Sequence, residues 1–181
     1  MPPIPLLFLD VDGPLIPFGE RRAGEAGSDA HPMYPPVPPA AVSPLLARLD
    51  PAQGPRLAAL PYELVWATTW GDDANTWVAA RLGLPPLPVV PWPDDAPAPA
   101  RGVHWKTPVL VAWAEGRPFA WVDDEIGPAD RTWVAAHHPG PALLHRVDPG
   151  RGLMAEDFAG LTGWDGAREP SSGPQDQWPS W

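Results

Sequence analysis

The chain contains no cysteine, so neither a disulfide framework nor a thiolate-held zinc site is open to it. Basic charge is scarce as well: 12 Lys and Arg stand against 22 Asp and Glu, a formal net charge of −10. That balance disfavours attraction to phosphate backbones and supplies no polybasic stripe for nucleic acid or membrane. Long apolar runs are also missing. The first, Leu6 to Leu9, stops at Asp10, and with no basic leader ahead of it the run is too short for a secretory signal or a bilayer span. These absences set the expectation of a cytoplasmic protein without membrane contact.

Proline is abundant instead, with 30 Pro and 17 Gly among 181 residues. Such a content approaches that of disordered chains, yet 44% hydrophobic residues and 11 Trp call for a packed interior. The expectation is one domain over 1–164 carrying a Pro-rich loop at 13–41, followed by a disordered tail at 165–181.

Apolar runs bounded by breakers read as strands of a parallel sheet buried on both faces. Leu6 to Leu9 is the first, Tyr62 to Thr68 the second, Phe119 to Val122 the next and Ala142 to Arg146 the last, with Leu87 to Val90 demoted to an edge by Pro88. Helices are expected between them. Ser43 with Pro44 opens one that ends at Asp50, and Asp72 to Leu82 forms another, closed by Gly83. Thr107 with Pro108 opens a third, as N-cap and first helical residue; Pro128 to His137 and Met154 to Leu161 complete the set. Strands alternating with helices imply an α/β layered fold with a mainly parallel sheet, whose ligand crevice lies beyond the carboxyl ends of the strands.

Those ends carry the chemistry. The stretch "LLFLDVDGPLIP" places Asp10 and Asp12 one residue apart, and two carboxylates so close repel unless something positive joins them. The second strand ends on Thr68, and "WVDDE" ends the third on Asp123 and Asp124. Four carboxylates at one edge call for a cation, and oxygen-only ligation suits Mg²⁺. Lys106 can project to the same edge as a fixed positive charge. A carboxylate beside Mg²⁺ and a lysine is a nucleophile toward phosphorus, a second carboxylate can move the leaving-group proton, and a hydroxyl can hold a phosphoryl oxygen. That reading assigns Asp10 as nucleophile, Asp12 as acid and base, and Thr68 as donor, with Thr69 as the alternative donor. Trp70 lies beside the site as a substrate-stacking candidate. Histidines 137, 138 and 145 have no metal-ligand spacing.

In this order "FLDVDG", "LVWATTW", Lys106 and "WVDDE" resemble the four motifs of the haloacid dehalogenase superfamily of aspartate-dependent phosphatases, covering Leu6 to Glu125. The resemblance implies a three-layer Rossmann-like (HAD-like) fold with strand order 142–146, 119–122, 6–9, 62–67, 87–90. It also implies an aspartyl-phosphate on Asp10, Asp12 as acid and base, and Mg²⁺ held by Asp10, the backbone carbonyl of Asp12 and an acid of the 123/124 pair. Gly13, Thr69 and Trp70 then fall on the substrate side. Pro14 departs from the family, which usually has Thr or Val there. The spaces where such enzymes insert a cap are 13–41 and 91–105, and the second is too short for a folded unit, so the expectation is a capless enzyme. An open site admits bulky phosphorylated substrates, small molecules or polymer ends. The flavour of the motifs is similar to the HAD-type domain of "Swiss Army Knife" RNA repair proteins, whereas the net charge speaks against nucleic acid. The competing readings are a non-catalytic module that binds a phosphorylated ligand, and a metal-independent dehalogenase.

Overall fold

A computed structural model describes residues 3–19, 31–35, 43–94, 99–164 and 166. The tail expected at 165–181 lies outside the described residues except for Gly166, as does much of the 13–41 loop. Among the described residues four strands form one all-parallel sheet: β1 (Leu6–Leu9), β2 (Glu63–Trp66), β3 (Phe119–Asp123) and β4 (Ala142–Arg146), in the spatial order β2-β1-β3-β4. This is an α/β fold of Rossmann-like type, and the expected order of these four strands is the observed one. The fifth is not a strand of the sheet. Residues 87–90 touch β2 only through the Trp66–Val89 bridge, because Pro88 has no N–H; its carbonyl accepts from Trp66 and Val90 donates back to Trp66.

Side chains alternate across the sheet as strand geometry requires. Leu7, Leu9, Ala120 and Val122 enter one core layer, with Leu46, Leu57, Val78 and Phe158 from flanking helical segments. Leu6, Phe8, Phe119 and Trp121 enter the other, against Leu110 and Val134. The first layer is covered by a 3₁₀ turn (Pro44–Arg48), α1 (Gln53–Ala58), a π-helical turn (Ala74–Ala79) running into α2 (Ala80–Leu82), and α5 (Ala155–Gly163). The second is covered by α3 (Lys106–Ala114) and α4 (Pro128–His137).

Several local signals act as expected. Ser43 Oγ accepts from the Leu45 amide, and Gly83 closes α2 at φ 69°. Others differ. The turn from Pro44 is 3₁₀ rather than a full helix. Gln53–Ala58 is a helix despite Gly54 and Pro55; Gly54 is needed there because a Cβ would fall 1.8 Å from the Leu82 carbonyl oxygen. Thr107 is not an N-cap. The helix begins at Lys106, and the Thr107 hydroxyl instead donates to Asp130 Oδ1 at 2.6 Å. Among the described residues of 91–105 no helix or strand forms, and among all the described residues no helix is long and apolar enough to cross a membrane.

Candidate active site

Alternation along β1 decides where the first acid goes. Leu6 and Phe8 face the α3 layer, and Asp10, two residues further on, keeps that direction; its amide donates to the Val122 carbonyl, which continues the β1–β3 ladder. On β3 the same parity takes Phe119 and Trp121 to the α3 side and Asp123 after them. Lys106, the first residue of α3, meets both. Its Nζ lies 2.9 Å from Asp10 Oδ2 and 2.8 Å from Asp123 Oδ2, and it is only 3% exposed.

Asp130 fixes this ammonium. Buried at the start of α4, it accepts from the His104 amide (2.7 Å) and the Thr107 hydroxyl with Oδ1, and from the Gly127 amide (2.8 Å) with Oδ2. One carboxylate thus ties the start of α3 to the start of α4 and holds Lys106 at the strand ends. Nothing in the local pattern around Asp130 separates this role from an ordinary acid in a helix's first turn, so sequence reasoning misses it.

Asp123 is fully committed. Oδ2 also accepts from the Trp121 indole N–H at 3.3 Å, and Oδ1 accepts from the Glu125 amide at 2.9 Å. Trp121 is a second missed residue, though its place two positions before Asp123 on one strand was a usable signal. Asp124 is half-buried, and its carboxylate takes none of these donors. Gly13 packs against it: at φ +90°, a Cβ on Gly13 would sit 2.6 Å from Asp124 Oδ1. Glycine is required both for the left-handed turn and for this approach.

Asp10, Asp123 and Asp124 each offer a carboxylate oxygen, all within 4.8 Å of one another. Three negative groups face one ammonium. Burial first, and then the neighbouring Asp123 against the pull of Lys106, pushes Asp10 up to about 7. Burial and Asp123 push Asp124 up to about 6. Burial opposes the charge on Lys106, but Asp10 and Asp123 outweigh it and raise its pKa above the ordinary lysine value. The donor set is hard oxygen with surplus negative charge, which fits a divalent cation of the Mg²⁺ type.

The Asp12 carboxylate is not part of this trio. Its Oδ2 accepts from the Trp70 indole N–H at 2.9 Å, so Trp70, a stacking candidate by sequence, has its polar edge occupied in holding Asp12. Thr68 stands just past β2, adjacent to β1 through the Ala67 amide on the Leu9 carbonyl. It is buried, and its hydroxyl oxygen accepts from the Trp70 amide at 3.3 Å, leaving the hydroxyl hydrogen to donate elsewhere. Thr69 is exposed. Trp92 donates its indole N–H to the Thr68 carbonyl and packs edge-on to Trp105. Trp105 is exposed and lies 5.9 Å from Lys106 Nζ.

Asp10, Lys106, Asp123 and Asp124 therefore converge, Gly13 closes the cluster, and Asp12, Thr68 and Trp70 form a linked group on the neighbouring loops. Comparison with protein-family models, curated proteins and solved structures gives no match.

Proposed function

We propose that this protein is a Mg²⁺-dependent phosphomonoester hydrolase of the haloacid dehalogenase type, acting through an aspartyl-phosphate on Asp10. The observation that carries the reading is the pair of contacts from Lys106 Nζ to Asp10 and Asp123, with Asp124 completing a three-carboxylate cluster. A structural ion pair needs one acid for one base. The surplus suits a site that neutralises an incoming dianion with an added cation.

Asp10 and Asp124 are the ligands best placed for the ion, together with the backbone carbonyl of Asp12, while Asp123 holds Lys106. When bound, Mg²⁺ withdraws charge from the phosphoryl oxygens and orients them for in-line attack. In the first step an Asp10 carboxylate oxygen attacks phosphorus, the bond from phosphorus to the ester oxygen breaks, and Asp12 gives its proton to the departing oxygen. In the second, Asp12 takes a proton from water, the water oxygen attacks phosphorus, and the bond to Asp10 breaks to release phosphate. Lys106 stays protonated throughout and offsets the charge on the transferring group. The Trp70 indole fixes one oxygen of Asp12, so the other is the one presented to the ester oxygen. Thr68 donates to a phosphoryl oxygen. Pro14 is compatible with the turn after Asp12, since its carbonyl accepts the Leu153 amide and a proline has no amide to leave unpaired. The described part of 91–105 forms no helix or strand, which supports reading the enzyme as capless and suited to a bulky phosphorylated substrate, including a polymer end.

The test is hydrolysis of p-nitrophenyl phosphate. Turnover with Mg²⁺ should vanish on chelation and return when the ion is restored. Turnover that survives exhaustive chelation would support metal-free dehalogenase-type chemistry instead, and Mg²⁺-dependent binding with no turnover across a phosphate-ester panel would support a binding module.

A further inference from the structure

The loop that packs Gly13 against Asp124 continues through Pro14 and Pro17 into the wall of a separate cavity of about 350 Å³. The remaining walls come from segment 31–34 with His31 and Tyr34, from Arg48 at the end of the Pro44–Arg48 turn and Asp50 after it, from α1, and from segment 150–155, whose Leu153 amide donates to the Pro14 carbonyl at 2.8 Å. Guanidinium groups gather here. Arg48, Arg56 and Arg151 line the cavity against a single carboxylate, Asp50, a local reversal of sign in a chain whose net charge is −10.

Two of these cations have uncharged partners among the described residues. Arg48 donates to the Pro17 carbonyl at 3.0 Å, and Arg56 lies 4.2 Å over the Phe158 ring. Both partners are uncharged, and among the described residues neither guanidinium is in an ion pair. Arg151 is different, being met by Glu156 at 3.4 Å. Asp50 turns Oδ1 to the Ala52 amide at 2.9 Å. Gln53, on the same wall, donates through Nε2 to the Leu153 carbonyl at 3.0 Å, while its Oε1 is buried and carries no hydrogen bond. A buried acceptor left empty costs free energy until a donor reaches it.

We infer that this cavity binds a small phosphate-bearing molecule with a hydroxyl group, of the sugar-phosphate class, at a site separate from the carboxylate cluster. The oxyanion engages Arg48 and Arg56, whose planar N–H forks match phosphate oxygens, and the hydroxyl donates to Gln53 Oε1. The volume is that of a small-ligand site. The proposal stands whether or not Asp10 is a nucleophile, because its residues are not those of the proposed hydrolysis.

Titration of the full chain with ribose 5-phosphate and with inorganic phosphate, in the presence of a chelator, tests it independently of catalysis. Stripped of metal, the carboxylate cluster repels phosphate, so saturable binding reports this cavity. Dissociation constants in the range of about 1 mM or tighter are expected. Arg48→Gln and Arg56→Gln should each weaken binding about tenfold, and Gln53→Leu should erase the preference for ribose 5-phosphate over phosphate. Should either arginine variant misfold, the side-chain ¹⁵N resonances of Arg48 and Arg56 in the unaltered protein must shift on titration. With Mg²⁺ present, a loss of kcat/KM in Arg56→Gln confined to bisphosphorylated substrates identifies the ligand as the substrate's own second phosphate, and equal kcat/KM identifies an independent effector. Absence of saturable binding, or binding indifferent to both arginine substitutions, overturns the proposal.

Discussion

Lys106→Met is expected to lower the melting temperature by roughly 10 °C and to leave phosphate-ester hydrolysis at background. Lys106 is 3% exposed and Asp123 is fully buried, so methionine, which matches the volume of lysine, leaves Asp123 as an uncompensated interior charge beside Asp10. Breaking such a pair from one side costs about 3–5 kcal/mol, whereas removing both members together costs far less. The double variant Lys106→Met with Asp123→Asn should therefore recover much of the lost stability, a coupling that calorimetric melts of the four-member cycle measure directly. It should recover no activity. Lys106→Arg is not a rescue either, because a planar guanidinium cannot place one nitrogen on Asp10 Oδ2 and Asp123 Oδ2 at 2.9 and 2.8 Å in the space of an ammonium. A Lys106→Met protein as stable as the parent would mean that the buried pair is not formed as described.

Asp10→Asn should reduce kcat on p-nitrophenyl phosphate by at least about a thousandfold, since an amide is no nucleophile toward phosphorus. Its stability should move the other way. Asparagine still accepts from the Val11 amide, which meets Asp10 Oδ1 at 2.8 Å; its NH2 replaces the oxygen that met Lys106, which keeps Asp123, and one of three crowded negative charges is gone. The sign follows from proton counting. With its folded-state pKa raised from 3.8 to about 7, Asp10 keeps a proton in the native protein that the unfolded chain has released. Metal-free stability therefore falls as pH rises through that window, and the penalty is complete above it. The substituted amide has no proton to lose, so melting curves of metal-free Asp10→Asn should flatten over the same range and lie above the parent at neutral pH. A variant less stable than the parent there would contradict the charge crowding.

The meeting of Asp10 and Asp123 at Lys106 could be read from sequence because β1 and β3 are short apolar runs that lead into acids, and alternation fixes the face. Leu6, Phe8 and Asp10 share a parity, as do Phe119, Trp121 and Asp123, and one parallel register brings the two ends together. What could not be read depends on tertiary partners. Asp130 looks like an ordinary helix-start acid until His104, Thr107 and Gly127 are seen around it. Gln53–Ala58 is helical although Gly54 and Pro55 argue against it, since close packing on Leu82 outweighs local propensity. The Ala74–Ala79 turn is π-helical where sequence predicts α; there the Asn75 side chain accepts from the Trp66 indole and the Leu87 amide and donates to the Leu87 carbonyl. Residues 87–90 have the composition of a strand, but proline denies them a ladder.

The most direct measurement is an acid quench of Asp12→Asn during turnover of an aryl phosphate with Mg²⁺, followed by peptide mass analysis. In the proposed mechanism the variant lacks the acid of the first step, which an aryloxide leaving group does not need, and the base of the second, so the peptide containing Asp10 should gain the mass of one phosphoryl group in near-stoichiometric yield, and lose it when the ion is chelated beforehand. Turnover by the parent protein with no phosphoryl group on Asp10 in any quenched sample, or with the group on another residue, would contradict nucleophilic attack by Asp10.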